Sequence, residues 1–440
     1  MRNPYVTGSY VVGSKFYGRE PLLDHIVHGP SHAFWLIGNR RMGKTSTLRQ
    51  LEARALAEGQ LVPVFLDMQG CESTLNLGQY LVDAIAEHPK RYDHLGVQPG
   101  HLPGEVVAAL KSLRRAAMLS GSKLLLLCDE TEALLRLARK EPEAMQRLHG
   151  ELTSGHGLRV VMASTRAIYQ MQDICAEWPT SPFLEGFDLS QTLGCLSPHN
   201  VRALVSQTQA LADEHVHADA EIADQIVEAT NGHPYLVQVL CSRLFLDDGT
   251  LRAPVERDFA VEPTLRGFLN HDFNSLTEAD RALLLAAHKA RLDTVYGRGD
   301  PAPPAAEAGS LETIVHEPPA ELNRRVHNLE TLGYLRRIHD HYIIGNLFLA
   351  NWLSLRPEAL AVMPPARTTE SAVRSTLARQ QTQETAYLVA RIRDCRARMI
   401  ELEGVRAREM LTVSPEVLAE IEIVQNEILQ ARRSLGEMQA

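Results

Sequence analysis

The chain has no apolar run approaching the roughly 20 residues that a bilayer-crossing helix needs. Its first residues, Met1-Arg2-Asn3-Pro4-Tyr5-Val6-Thr7, lack the apolar core of a signal peptide. Membrane insertion and secretion are not expected, and a cytoplasmic location is. Among 440 residues there are six cysteines, far apart and without a Cys-x-x-Cys pair, which excludes a disulfide framework or a cysteine-rich metal site. Cys128 and Cys241, set among apolar neighbours, read as reduced core thiols. Positive charge is in deficit: the formal net charge is −9, which argues against a protein coated with nucleic acid but leaves room for a local basic face. No protease, nuclease or TIR-like effector motif is present, so any output must pass through another protein, and no acceptor pocket for small-molecule phosphoryl transfer is legible. What is present, 45% hydrophobic and 22% charged residues, suits a globular protein of two or three domains.

Against those absences one segment stands out. Gly38-Asn39-Arg40-Arg41-Met42-Gly43-Lys44-Thr45 fits G-x-x-x-x-G-K-[ST], the phosphate-binding P-loop. The apolar run Ala33-Phe34-Trp35-Leu36-Ile37 before it reads as a buried strand, and the residues from Ser46 onward, with Leu48 and Leu51 at helical spacing, as a helix. That order aims free backbone N–H groups and the positive end of a helix dipole at a phosphate. The glycines let the backbone wrap closely, Lys44 reaches terminal phosphates, and the Thr45 hydroxyl can ligate Mg²⁺. ATP or ADP with Mg²⁺ is the expected ligand.

Lys123-Leu124-Leu125-Leu126-Leu127-Cys128-Asp129-Glu130 supplies the complement, an apolar strand ending in two acids. In a Walker B arrangement Asp129 supports Mg²⁺ and Glu130 orients or deprotonates the attacking water; Glu132 is the rival acid. Two more strands are expected at 61–67 and 158–163, the second ending in Ser164-Thr165-Arg166. Strands alternating with helices over 33–170 predict an α/β P-loop NTPase with a parallel sheet covered on both faces, its ligand residues at the carboxyl ends of the strands. Ser164, Thr165 or Arg166 could then contact the γ-phosphate from an extra strand between those of the P-loop and Walker B; the alternative is a polar strand end that caps the next helix.

Asn3-Pro4-Tyr5, then Phe16-Tyr17-Gly18-Arg19-Glu20, then the paired arginines of the P-loop, resemble the STAND group of signal-transduction ATPases, relatives of AAA+ proteins. The resemblance covers residues 1–355, is specific in the ATPase core and loosens beyond residue 190. It implies that Phe16, Tyr17, Gly18 and Arg19 lie against the adenine. It also implies that Asn231-Gly232-His233-Pro234 belongs to a helical lid whose Pro234 packs near the base, although helix-end chemistry alone accounts for Asn-Gly followed by Pro. Residues 322–354 resemble a winged helix, with Leu322, Val326, Leu329 and Leu332 at helical spacing, Gly333 as a stop, and two short strands before Phe348, Trp352 and Leu353. No histidine, His339 and His341 included, matches well enough to be placed on a diphosphate. The Pro- and Ala-rich stretch 297–308 reads as a flexible insertion.

Beyond Met363-Pro364-Pro365 lysine disappears. Leu388, Ile392, Cys395, Met399 and Leu402, and then Val417, Ile421, Val424, Ile428, Ala431 and Leu435, alternate spacings of four and three, the seam of a coiled coil. Ser414-Pro415-Glu416 starts the second helix, which predicts a helical hairpin that must lean on its own chain or on a partner. The expected division is an ATPase core with N-terminal arm at 1–190, a helical lid at 191–260, a winged-helix-like domain at 261–360 and a hairpin at 366–440. The expected function is an ATP-binding, slowly hydrolysing switch that addresses a protein partner through the hairpin, with a homo-oligomer as another use for it. Two alternatives remain: a DNA-associated ATPase gripping DNA through Arg324, Arg325, Arg336 and Arg337, and a non-hydrolysing nucleotide-bound scaffold.

Overall fold

The computed structural model describes residues 2–356 except 177, 179–182, 189, 212–214, 297–305, 308–318 and 339–340, and beyond 356 only Val424. The expected hairpin at 366–440 thus lies outside the described residues, as do His339 and all of the 297–308 insertion but Ala306 and Glu307, with Tyr296 the last described residue before it. The chain divides into two units, Met1–Val362 and Met363–Ala440, and every described residue but Val424 belongs to the first.

An arm with one 3-10 turn at Gly13–Lys15 leads into α1 (Glu20–His28). There follow β1 (Ala33–Ile37), α2 (Lys44–Glu58), β2 (Leu61–Asp67), α3 (Thr74–Ala86), the short α4 (Pro89–Tyr92), α5 (Val106–Leu119), β3 (Lys123–Asp129), α6 (Ala133–Lys140), α7 (Pro142–Leu152), β4 (Leu158–Ser164), α8 (Gln170–Cys175) and β5 (Gln191–Thr192). The five strands make one parallel sheet in the order β2-β3-β4-β1-β5. β4 therefore lies between the P-loop strand and the strand carrying Asp129, where the sequence predicted an inserted strand. Both sheet faces are covered, which is why these strands read as unbroken apolar runs. Phe34 and Leu36 pack with Leu23 and Ile26 of α1 and Leu48 and Leu51 of α2. Trp35 and Ile37 turn the other way, into the core shared with α3, α5, α6 and α7.

Pro63 sits within β2 without cost to the ladder because β2 is an edge strand, with β3 as its sole neighbour among the described residues. Gly78, inside α3, lets that helix approach the chain at Gly104, where a Cβ would stand 2.1 Å from a backbone carbonyl oxygen.

The second half is helical: α9 (Pro198–Val205), α10 (Ala220–Thr230), α11 (Pro234–Leu244), α12 (Pro263–Ser275) and α13 (Glu278–Tyr296). Then come β6 (Ala306–Glu307), α14 (Pro319–Thr331), β7 (Leu335–Ile338), β8 (His341–Ile344) and α15 (Leu347–Ser354), with the strands in an antiparallel sheet ordered β6-β8-β7. Asn231 closes α10 in a left-handed conformation and Pro234 opens α11, so the Asn-Gly-His-Pro run acts as a stop and a start. Gly333, also left-handed, ends α14. One core joins all of this: Val201 of α9, Ile226 of α10, Leu240 of α11, Leu269 of α12, Leu329 of α14 and Phe348 of α15 belong to a single cluster. Among the described residues no helix is long and apolar enough to cross a membrane.

Candidate functional site

The sheet order brings the carboxyl ends of β1, β3 and β4 side by side, and the chemistry-bearing residues gather there. Gly38 leaves β1 with its N–H on the Ser164 carbonyl at 3.1 Å. Arg41 then turns left-handed (φ 61), and Gly43, at φ 90, caps the start of α2. Met42 is buried in the sheet-side core, pinning the middle of the loop. Lys44 Nζ donates to the carbonyls of Gly38 and Asn39 at 3.0 and 3.1 Å, folding back along its own loop. Thr45 Oγ1 donates to Asp129 Oδ2 at 2.6 Å, tying the P-loop helix to the end of β3. Ser46 accepts from the Val11 N–H at 3.1 Å, so it fastens the arm to α2.

Asp129 is buried, and its second carboxylate oxygen accepts the Glu130 N–H at 3.0 Å. That contact accompanies a left-handed backbone at Glu130 (φ 50), unusual for a residue with a Cβ. Glu132 accepts the Thr165 N–H with one oxygen, while the other is buried without a partner. The Ser164 hydroxyl is likewise buried and unpartnered, at the end of the strand between Asp129 and the P-loop. Arg166 begins a 3-10 turn (Arg166–Tyr169) just beyond the end of β4.

The electrostatics are lopsided. Burial holds the Lys44 ammonium below the usual lysine range, opposed by the negative charges of Glu132, Glu130, Asp129 and Asp272. Burial raises the Asp129 carboxyl against the opposing hydrogen bonds from Thr45 and the Glu130 N–H. Burial also raises Glu130, and the neighbouring charges of Glu132 and Asp129 push it further. Carboxylates outnumber the one buried lysine, and hard oxygen donors from Thr45 and Asp129 stand together. That donor set suits Mg²⁺, which is held by one or two carboxylates and by substrate phosphates rather than by a full protein cage. No cluster of three or more His, Cys, Asp or Glu able to hold a metal occurs among the described residues.

On the expected adenine side, Tyr17 is buried and its hydroxyl accepts the Gln209 N–H at 3.3 Å. Gly18 is left-handed, and a Cβ there would come within 2.6 to 2.9 Å of the Asn200 side chain. Arg19 donates to the Gly194 carbonyl at 2.5 Å. These residues line the seam between the sheet and the second half: Phe16 packs into the sheet-side core and its neighbour Tyr17 into the helical one. Across that seam the Arg41 guanidinium stands 4.0 Å from the Tyr235 ring centroid and 5.8 Å from that of Phe268, while Pro234 begins the same helix as Tyr235. Arg40 is exposed.

Asp272 on α12 and Tyr334 before β7 were not singled out from sequence, yet both are buried, and burial raises the Asp272 carboxyl against the opposing charges of Lys44, Arg40 and Arg41. An aspartate on an amphipathic helix reads as solvated, and only the fold turns it inward. The contacts of Arg41 with Tyr235 and of Glu132 with Thr165 were equally silent, because they join residues far apart in the chain.

No protein-family profile matches the chain, and no curated protein matches it in sequence. Among solved structures, a Walker-type ATPase of Pyrococcus abyssi is similar with a TM-score of 0.55 at 14% identity, over 79% of this chain and 99% of that one. The Aeropyrum pernix ORC2 protein in ADPNP–ADP complexes gives 0.49 at 14% identity over 80% and 98%. The Aeropyrum pernix ORC1 protein in complex with DNA gives 0.36 at 16% identity over 79% and 95%. The last two likenesses are too small to carry an argument, and the first speaks to the fold alone. Together with the sheet order and the residues at its strand ends, it gives this chain the α/β fold of a P-loop NTPase.

Proposed function

We propose that the chain is a nucleotide-dependent switch of the STAND type, which binds ATP or ADP with Mg²⁺, hydrolyses ATP slowly and couples the bound nucleotide to recognition of a protein partner. The observation that carries this reading is the meeting of Thr45 and Asp129 at 2.6 Å beside Lys44, on which the charges of Glu130 and Glu132 also act. Lys44 would exchange the Gly38 and Asn39 carbonyls for phosphate oxygens, and the loop N–H groups would cradle the rest of the phosphate. Thr45 and Asp129 would hold Mg²⁺, which when bound supplies positive charge to the phosphate oxygens. In its deprotonated form Glu130 accepts a proton from water as the water oxygen bonds to the γ-phosphorus and the bond to the bridging oxygen of ADP breaks. Ser164 offers an unpartnered hydroxyl and Arg166 a cation at the end of β4, the positions from which the γ-phosphate can be sensed. Tyr17, Gly18, Arg19 and Pro234 would frame the base. The signalling role and the partner-binding hairpin at 366–440 rest on sequence resemblance and heptad spacing. Homo-oligomerisation is a second use of the same seam.

The first experiment is to denature the purified protein and identify released nucleotide by ion-exchange chromatography. Stoichiometric ADP or ATP is expected, and Lys44→Ala should lose it. A protein that carries none and fails to bind added ATP with Mg²⁺ would end the reading. Glu130→Gln then separates switch from scaffold: binding kept with turnover lost marks a hydrolytic cycle.

A second reading, a DNA-associated ATPase, draws on the arginines of α14 and β7. Arg324 pairs with Glu321 at 2.7 Å, Arg325 with Asp280 at 3.2 Å, and Arg336 donates to the Glu228 carbonyl at 3.4 Å. The exposed Arg324 pair is worth only about 0–1 kcal/mol and yields readily to phosphate, whereas Arg325 and Asp280 are largely covered. Salt-dependent DNA retention on filters, lost in the double change of Arg324 and Arg325 to Glu, would favour it; indifference to both would remove it.

A further inference from the structure

The P-loop contains a turn that its own residues disfavour. The Met42 N–H donates to the Asn39 carbonyl at 3.4 Å, which closes a turn with Arg40 and Arg41 at its centre. Arg41 is left-handed (φ 61) and Arg40 is not, the pattern of a type II turn, whose third residue is ordinarily glycine. A side chain at that position strains the loop where its N–H groups must curl around a phosphate. A compensating contact comes from across the seam. The Arg41 guanidinium lies over the Tyr235 ring, 4.0 Å from its centroid, and 5.8 Å from that of Phe268. Those two rings meet edge to face at 5.7 Å, and Phe268 meets His233 in the same manner at 5.5 Å. The start of α11 and the middle of α12 thus present one braced aromatic face to the guanidinium. Burial pushes the His233 imidazole down to about 4, so at neutral pH it is uncharged and does not repel Arg41. Arg41 is exposed, yet a cation over a ring at a solvated site still shifts an equilibrium several-fold.

We propose that Arg41 is a positioning residue: docking of α11 and α12 on its guanidinium holds the P-loop turn in the shape that receives phosphate, and loss of that docking lowers nucleotide affinity. The inference rests on the proposed binding of nucleotide at the P-loop. Its form is a population shift. Without the stack, the turn relaxes toward backbone conformations that a residue with a Cβ prefers, and the loop N–H groups no longer converge. Apparent affinity then falls by the fraction of loops left in the receiving shape. By linkage, nucleotide favours the docked helices by the same factor. Arg41 in this role reports to α11 whether the loop is filled, and it does so through its backbone shape rather than by touching phosphate.

The test is calorimetric titration of the full chain with ADP and Mg²⁺. The proteins compared are wild type, Tyr235→Leu, Arg41→Ala, Arg41→Gly, the double variant Arg41→Gly with Tyr235→Leu, and Lys44→Ala. Tyr235→Leu keeps apolar bulk but removes the ring face, and both it and Arg41→Ala should bind about three- to fivefold more weakly than wild type. Arg41→Gly adopts the left-handed turn without a stack, so it should stay within about twofold of wild type, and should remain there when Tyr235→Leu is added. That rescue is the decisive result, because glycine would not repair a damaged fold or replace a lost phosphate ligand. Equal weakening in Arg41→Ala and Arg41→Gly would make the guanidinium a direct phosphate ligand and overturn the proposal. Unchanged binding in Tyr235→Leu, or a double variant as weak as Tyr235→Leu, would overturn it too. Under any of these outcomes, loss of binding in Lys44→Ala leaves the nucleotide site itself standing. No binding by wild type takes down both.

Discussion

Glu130 combines a catalytic assignment with a backbone that a side chain disfavours, and the two can be pulled apart. At φ 50 it is left-handed, with its N–H fixed on Asp129 Oδ1 at 3.0 Å. A residue with a Cβ costs roughly 1–2 kcal/mol there. Glycine removes that cost but loses about 0.5–1 kcal/mol more chain entropy on folding. Glu130→Gly should therefore be more stable than Glu130→Ala by about 0.5–1 kcal/mol, since both lack the carboxylate and differ mainly in strain. For a protein of this size that is about 0.5–1 °C in Tm, measurable by scanning calorimetry on nucleotide-stripped protein. Both variants should lose about 10²- to 10⁴-fold in ATP turnover, the contribution of a general base, while keeping nucleotide affinity. A glycine variant no more stable than the alanine one would show that the turn carries no strain. Undiminished turnover in either would take Glu130 out of hydrolysis and leave Glu132 as the acid to examine.

Three further outcomes are expected. Glu130 must be deprotonated to accept a proton, and burial together with the charges of Glu132 and Asp129 raises it, so turnover should fail on the acid side above the ordinary glutamate range. Glu132→Gln removes a neighbouring negative charge and should move that limb to lower pH; an unmoved limb would contradict the coupling. Gly78→Ala drives a Cβ into the Gly104 carbonyl and should destabilise the fold by about 1–3 kcal/mol, read as a lower Tm without a specific loss of nucleotide affinity at 25 °C. A double-mutant cycle on Arg41→Ala and Tyr235→Ala should return a coupling of about 0.5–2 kcal/mol in stability, the range for a cation over a ring at 4.0 Å; strict additivity would mean that the stack contributes nothing.

Much of the sheet was legible because its strands are continuous apolar runs bounded by glycine or acids, and because the P-loop spacing marks one strand end and Asp129-Glu130 another. The inserted β4 was legible for the same reason. The helix ends at Asn231, Pro234 and Gly333 could be read from capping chemistry alone. What sequence could not supply were contacts made by folding distant segments together. Asp272 follows the P-loop by more than two hundred residues, and no local period separates it from a solvated acid. The unpartnered oxygens of Ser164 and Glu132 were equally invisible, since a buried polar atom without a partner is a property of surroundings, not of spacing. Arg325 shows the converse: sequence displays its charge and Glu321 nearby on the same helix, but only the fold shows Asp280 beside it.

Phe16 and Tyr17 are adjacent in the chain, yet their rings are sunk in different cores, one beneath the sheet's helices and one among α9 to α15. A single peptide bond therefore behaves as a rivet between the two cores. Prising them straight apart would draw one aromatic ring into water, a loss of about 1.5–3 kcal/mol, whereas swivelling about the rivet would leave both rings seated. Opening of the seam should then be angular, widest at Arg41 and Tyr235 and least at the arm. Spin labels placed near each end would report unequal distance changes.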